Sequence, residues 1–491
     1  MKTCFTFLLF NFLAIFSFAQ PGTLDLSFGN QGQVLSPRES DPANAVIVKE
    51  DGKILCGSGE YISNKTVFLQ QQFLTDGTPD SSFGKNGEIT TDFGNGVKGF
   101  ITAMAATRDN DIIAAGIGGL DATNPHGADI LLAKYDDKGN LDSQFGANGL
   151  VVVDFRLFEY TQCVKLLSDN KILIGGSARK TSNFQEKNNF LLARFNADGS
   201  LDSSFGDKGK VITDVGTTYG SNINAIVITE NGDIIAAGKA ESLSGSIYNK
   251  ILLAKYAADG KLITDFGANG FVFTDPSEGD DYATAVALQE DGKIVTAGVT
   301  GASATKAGMC IARYNENGNA DSSFNKIGVR IIYFGKDNAS AQSLLIQKDK
   351  SFLLAGFKYP NKSANGINDF ALAAVKPDGS LNSSFGSEET VTTDFSGMID
   401  YCNAIALQPD GKIVAAGGSS DGITSYISLA RYNNGISKRQ IIITKIRHWI
   451  NNNNLKLSPN PATSNLHIEG LPSSSNTKLT VVDFAGNIAN S

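Results

Sequence analysis

Tryptophan and histidine are scarce in this 491-residue chain, with one and three copies, and each scarcity removes a class of chemistry. The single tryptophan, Trp449, excludes any architecture whose repeats are each anchored on that residue. None of the histidines (His126, His448, His467) has a convincing Ser or Cys partner or a carboxylate cluster at zinc spacing. Neither a nucleophile–histidine triad nor a histidine zinc site is therefore expected. Of five cysteines, Cys56, Cys163, Cys310 and Cys402 form no C-x-x-C pair and stand in unrelated contexts, so buried free thiols are expected rather than disulfides. No phosphate-cradling glycine loop is visible. Positive charge is not in excess: 42 Lys and Arg face 50 Asp and Glu, for a net charge of −8 and no long run of either sign. That balance disfavours a nucleic-acid partner.

What the chain has is an apolar N-terminus, abundant glycine and repetition. Lys2 precedes an apolar stretch over 5–18, and Ser17-Phe18-Ala19 places small residues at the −3 and −1 positions before Gln20. Residues 1–19 therefore read as a secretory signal peptide, and the protein is expected to be secreted or held at the outer cell surface. With 52 glycines, tight turns should be frequent. A phenylalanine in an S-F-G-like context recurs at Phe28, Phe83, Phe145, Phe205, Phe266, Phe324 and Phe385, at spacings of 55 to 62 residues. Between these anchors come, in fixed order, an alternating strand, a D-G-K-like turn, an apolar strand, a variable loop, an F-L-L-A-R-F-like strand, and an L-D-S-S-F-G-x-x-G connector leading to a short strand.

Each unit thus holds four short strands, A to D. One such sheet cannot cover both of its faces, whereas seven packed face to face around an axis can. The expected fold is all-β: a seven-bladed β-propeller of four-stranded blades over residues 20–435. The repeats begin inside a unit, at the connector and strand D over 24–35, and end after a strand C at 426–432. The N-terminal strand should therefore complete the last blade and close the ring, leaving no orphan sheet edge. A monomer is expected.

The L-D-x-S-F-G-x-x-G, D-G-K-I-x-x-A-G and L-A-R-Y pieces resemble the delta-60 repeat, a propeller repeat of unknown function, over roughly residues 21–435. The departures are local: Ile263 replaces an Asp, Asn325 and Glu389 replace glycines, and Ala374 replaces an Arg or Lys. Residues 436–454 read as a linker. Residues 455–491 carry Leu457-Ser458-Pro459-Asn460-Pro461-Ala462 and Val481-Val482-Asp483-Phe484-Ala485-Gly486, and resemble part of a type A sorting domain of the type IX secretion system. That resemblance implies a small β-sandwich and, as a partner, the type IX secretion machinery.

The repeated polar residues read first as structure. Strand C carries Lys134, Arg194, Lys255, Arg313 and Arg431, and the connector carries Asp25, Asp80, Asp142, Asp202 and Asp321. A residue reproduced around a ring usually has the same job in each blade, here ion pairing or turn hydrogen bonding. Asp92, Asp154, Asp214, Asp275 and Asp394 at the end of strand D are expected to cap a turn rather than to ligate calcium, since the D-x-D-x-D-G loop grammar is not reproduced. No catalytic residue, cofactor or metal is expected. Tryptophan-bearing quinone propellers and the S-x-D-x-G-x-T-W boxes of sialidase-like propellers have no counterpart here.

Binding is expected on the face of the B–C and D–A loops, which differ from blade to blade (60–66, 118–129, 178–188, 239–250, 299–307, 357–369 and 419–425). At the start of strand A, on the channel rim of that face, Phe100, Tyr160, Tyr282 and Tyr401 align. Three follow a carboxylate (Glu159, Asp281, Asp400), and Pro42, Asn222 and Ser340 occupy the place in other blades. Aromatic faces beside acceptors suit sugars or cationic groups, and rings that only pack between blades are the plainer alternative. The favoured function is a non-catalytic binding or adhesion scaffold for a glycan or protein. The alternative is a secreted polysaccharide hydrolase or lyase that uses loop carboxylates.

Overall fold

The computed structural model describes residues 20–435, apart from 63, 95, 120–127, 182–185, 217–219, 242–247, 303–305, 362–366 and 388, together with 456–458 and 467–469. Within 20–435 the described strands form seven four-stranded antiparallel sheets, so the seven-bladed propeller is observed. In blade 3, strands A to D are Phe158–Leu166, Ile172–Arg179, Asn189–Phe195 and Lys210–Thr213, hydrogen-bonded in chain order. Strand B of this blade is buried along its whole length, whereas strand A is only half buried. The continuous apolar runs of strands B and C are thus explained: both of their faces are covered by neighbouring blades.

The core is divided among the inter-blade layers. Leu173, Phe190, Leu192 and Phe205 of blade 3 pack on Ile223, Ile226, Ile234 and Leu252 of blade 4. All seven S-F-G-type phenylalanines are at most 2% exposed. Each contributes roughly 1.5–3 kcal/mol on burial. A second repeated device ties blade to blade. Tyr135, Tyr256, Tyr314 and Tyr432, at the end of strand C, donate hydroxyl hydrogen bonds to Thr91, Thr213, Thr274 and Thr393 on strand D of the preceding blade.

Each strand A touches the A strands of both neighbouring blades, and Ile399–Leu407 of blade 7 touches Ala45–Val48 of blade 1. The A strands therefore surround the axis. Closure occurs as expected through the N-terminal strand, with Gln33 opposite Ala430 and Val34 opposite Leu429. The strand itself runs over Gln33–Glu39, later than 24–35, because residues 24–32 are consumed by the connector turn. That turn is also anchored across the seam, where the Asp25 N–H bonds the Arg431 carbonyl at 2.8 Å.

Residues 436–491 form a separate unit in which Lys456–Ser458 pairs antiparallel with His467–Glu469. The signal peptide over 1–19, the linker over 436–454 and the rest of the sorting segment lie outside the described residues. The four described cysteines are free, with Cys56, Cys310 and Cys402 fully inside the blades.

Candidate functional site

The repeated ion pairs are part of the scaffold. Arg431 Nε, Arg194 Nε and Arg313 Nε donate to Asp25, Asp202 and Asp321 at 2.7–2.8 Å, and the same three guanidinium groups stack on Phe28, Phe205 and Phe324. The D-G-K lysines join them, with Lys412, Lys171 and Lys293 within 3.3 Å of those aspartates. Burial raises the Asp25 pKa, but Lys412, Ser27 and Arg431 outweigh it and hold the group at about 2. Asp321 is likewise held at about 2, burial again being outweighed by Ser323, Lys293 and Arg313. Where strand C carries lysine, the turn supplies an acid as well: Lys134 pairs with its connector Asp142 at 2.8 Å and with Asp111 at 3.2 Å, and Lys255 pairs with Asp233 at 3.2 Å. The Lys255–Asp233 pair compensates for Ile263, which stands where other connectors have an aspartate. Turn capping by the strand-D aspartates is also seen. Asp92, Asp214 and Asp394 accept backbone N–H bonds from Gly94, Gly216 and Gly397 at 2.7–2.9 Å.

At the other face, the aromatic position proves equivalent between blades. Phe100, Tyr160, Tyr282 and Tyr401 lie opposite Ile117, Ser177, Val299 and Gly418 of strand B, each just before an irregularity in the A–B ladder. The strand-B glycine makes this turn of the ladder feasible. A Cβ on Gly116, Gly176, Gly298 or Gly417 would sit 1.7–2.1 Å from the carbonyl oxygen of the aromatic residue. Such bulges bend the strand and re-aim side chains at its end.

The structure brings two of the four rings together. Tyr282 of blade 5 and Tyr401 of blade 7 flank blade 6, whose own residue at this position is the small Ser340. They line a cleft of about 230 Å³ with Ser340, Phe357, Tyr359 and Asn368. Phe357 lies opposite Ser340 in register and meets Tyr401 edge-on at 5.0 Å. Tyr401 is 36% exposed. Lys239 Nζ stands 5.5 Å from the centre of the Tyr282 ring. Burial raises the pKa of Tyr282, with Tyr359 and Asp280 adding to the rise, so its hydroxyl stays a donor at neutral pH. Phe100 and Tyr160 do not line this cleft. Tyr160 instead accepts a 2.8 Å hydrogen bond from Arg179, whose guanidinium also covers its ring. Phe357, Tyr359 and Asn368 were within the variable 357–369 segment but carried no motif, and only the register with Ser340 reveals their place.

The three carboxylates do not line this cleft. Glu159, Asp281 and Asp400 are all fully buried. The reason is strand geometry: successive side chains point to opposite sides, so the residue before each ring turns into the inter-blade layer. Asp281 is held there by Ser277 Oγ at 2.7 Å, Thr300 Oγ1 and the Gly301 N–H at 3.0 Å. Glu159 accepts the Phe155 N–H at 3.0 Å, and Asp400 the Phe395 N–H at 2.8 Å. Burial pushes Glu159 up to about 8, with Asp154 and Asp129 adding to the rise. Burial likewise takes Asp400 up to about 7, with Asp394 and Asp369 acting in the same sense.

On the opposite, stereotyped face, a cleft of about 500 Å³ lies between turns of blades 1 and 2 and is lined by charged residues such as Lys49, Asp51, Lys53 and Asp137. It is bounded by the scaffold turns and their ion pairs.

Three stretches, 167–205, 289–324 and 408–435, match a family model described as a domain of unknown function (DUF5122) beta-propeller. No curated protein matches the chain. Among solved structures, it is similar to a protein of unknown function from Dyadobacter fermentans DSM 18053, at 9% identity over 84% of this chain and 98% of that one, with a TM-score of 0.41. It is also similar to a PL25 ulvan lyase bound to -[GlcA(1-4)Rha3S]-, at 11% identity over 80% and 95%, with a TM-score of 0.44. The beta-propeller domain of the Trilobed protease from Pyrococcus furiosus gives 9% identity over 81% and 98%, with a TM-score of 0.39. The chain is thus a repeat protein of the β-propeller kind that matches the DUF5122 beta-propeller model in three of its repeats.

Proposed function

We propose that this protein is an exported, non-catalytic binding module that takes carbohydrate in the rim cleft of blades 5 to 7. The observation that carries the reading is the cleft itself, where Tyr282, Phe357, Tyr359 and Tyr401 converge beside Ser340 and Asn368. Aromatic rings supply stacking area for sugar faces, while the hydroxyl and amide groups supply donors and acceptors for sugar hydroxyls. A hydrolase or lyase built on Glu159, Asp281 and Asp400 would need them open to its substrate, and all three are fully buried, which speaks against that arrangement. Export through the signal peptide over 1–19 and passage through the type IX machinery by way of 455–491 belong to the same proposal. They rest on the sequence resemblances. The test is a panel of neutral and acidic polysaccharides and of proteins, read for both retention and product release. Retention of a glycan with no new reducing ends or unsaturated products is expected, and turnover of any polysaccharide would overturn the reading.

A further inference from the structure

The same small cluster occurs at two places in the ring. Asp129 on strand C of blade 2, Asp154 at the end of its strand D, and Glu159 on strand A of blade 3 bring carboxylate oxygens within 4.8 Å of one another. Asp369, Asp394 and Asp400 do so at the equivalent positions between blades 6 and 7. Both clusters are built on one framework. The Glu159 N–H bonds the Ala128 carbonyl and the Asp400 N–H bonds the Asn368 carbonyl, each at 2.8 Å. One oxygen of each strand-A carboxylate then accepts the N–H of the phenylalanine that follows the strand-D aspartate, Phe155 or Phe395.

The other oxygen is the unusual one. Glu159 Oε2 is buried, in a side chain that is fully inside the protein, and has no hydrogen-bond partner. Asp400 Oδ1 is in the same position. An ionised carboxylate left so is costly, and two more carboxylates at its side add to the cost.

Three other interfaces show how the ring treats this position when a lysine faces the strand-D aspartate. Between blades 4 and 5, Lys250 takes the place of Asp129 and pairs with Asp275, while Asp281 is fully hydrogen-bonded. Lys65 at the start of strand C in blade 1 and Lys187 just before strand C in blade 3 likewise reach Asp92 and Asp214. A positive charge therefore faces the strand-D aspartate in those three interfaces, and a second aspartate stands near it in the two clusters.

We infer that Asp129, Asp154 and Glu159 form a calcium site that pins blade 2 to blade 3. Two oxygens bound to one Ca²⁺ at about 2.3–2.6 Å lie no more than about 5 Å apart, which the cluster satisfies. All donors are hard oxygens, and Ca²⁺ accepts such irregular sets where Mg²⁺ demands a regular octahedron. Asp154 is exposed, so the ion has a route from solvent, while Glu159 closes the inner side. Affinity in the range of extracellular calcium modules, about 0.1–1 mM, is expected. The assignment is made for the first cluster, where the longer Glu159 side chain is the inner ligand; at the second, Lys358 Nζ lies 2.7 Å from Asp369 Oδ2.

The test is calorimetric titration of the full chain, stripped with chelator, with CaCl₂. Glu159→Gln keeps the shape and removes the charge, and Asp154→Asn does the same at the exposed member, so that one variant remains informative if the buried one does not fold. Asp275→Asn, at an interface bridged by lysine, is the control. Saturable Ca²⁺ binding and a calcium-dependent rise in unfolding temperature are expected. Glu159→Gln should lose one bound ion, Asp154→Asn should weaken it by about tenfold or more, and Asp275→Asn should match the parent. Absence of binding at millimolar Ca²⁺ in the parent, or an unchanged ion count and affinity in both cluster variants, would overturn the assignment.

Discussion

Asp25 links the first and last repeats through one side chain. It accepts from Arg431 and Lys412, which lie at the far end of the ring sequence, and from Ser27 beside it. Its pKa of about 2 lies below the ordinary 3.8, so the sign of its contribution follows. Stability from this group is fully present above about pH 4 and is lost as pH falls through about 2. Asp321 repeats the pattern at about 2 in blade 5. The unfolding temperature of the parent should therefore fall steeply on acidification across that window. Asp25→Asn should be less stable than the parent at neutral pH, and its acid fall should be shallower. An equally steep fall in the variant, followed by circular dichroism, would show that the pair does not couple folding to pH. These pairs were legible in the sequence because the L-D-x-S-F-G aspartate and the strand-C cation recur together.

Strand A is the element where folding and candidate site meet. Its bulge depends on a glycine across the ladder, and at Gly417 an added Cβ would fall 1.7 Å from the Tyr401 carbonyl oxygen. Gly417→Ala should therefore cost roughly 1–3 kcal/mol or more, the range for overfilling a packed position. Gly422, in an exposed loop with nothing near its missing Cβ but with φ +91°, would lose stability through backbone strain and not through crowding. Chemical denaturation would show the loss at Gly417, and equal stability of Gly417→Ala and the parent would contradict the tight approach. The A-G pair of strand B was visible as a motif, but its purpose was not, because a one-residue bulge leaves no periodic trace. The S-F-G turn was more transparent. Asn325 replaces its glycine and still adopts φ 47°, within the left-handed region that asparagine tolerates. The rim carboxylates were misplaced for a related reason: alternation along strand A hides the residue next to an exposed ring. Phe357 and Tyr359 escaped notice because their position depends on pairing across blade 6, not on any local pattern.

At the scale of the whole molecule, repetition made the ring readable and departures from repetition mark where it works. Seven connectors, seven S-F-G-type phenylalanines and one out-of-phase N-terminal strand spell out a closed propeller in the sequence itself. The cleft arises from a break in that regularity, since Ser340 leaves space between Tyr282 and Tyr401 that a third large side chain would fill. Charge follows the same rule, with lysine–aspartate bridges in some interfaces and three-carboxylate clusters in two others. The central claim is that a rigid scaffold presents this cleft to a glycan. Its most direct test is the affinity of the retained polysaccharide for the parent and for Tyr282→Ala and Tyr401→Ala, measured by calorimetry beside their unfolding temperatures. Each substitution should weaken binding by more than ~1 kcal/mol, the scale of an anchoring contact, with no comparable loss of stability. Unchanged affinity in both variants would contradict the claim.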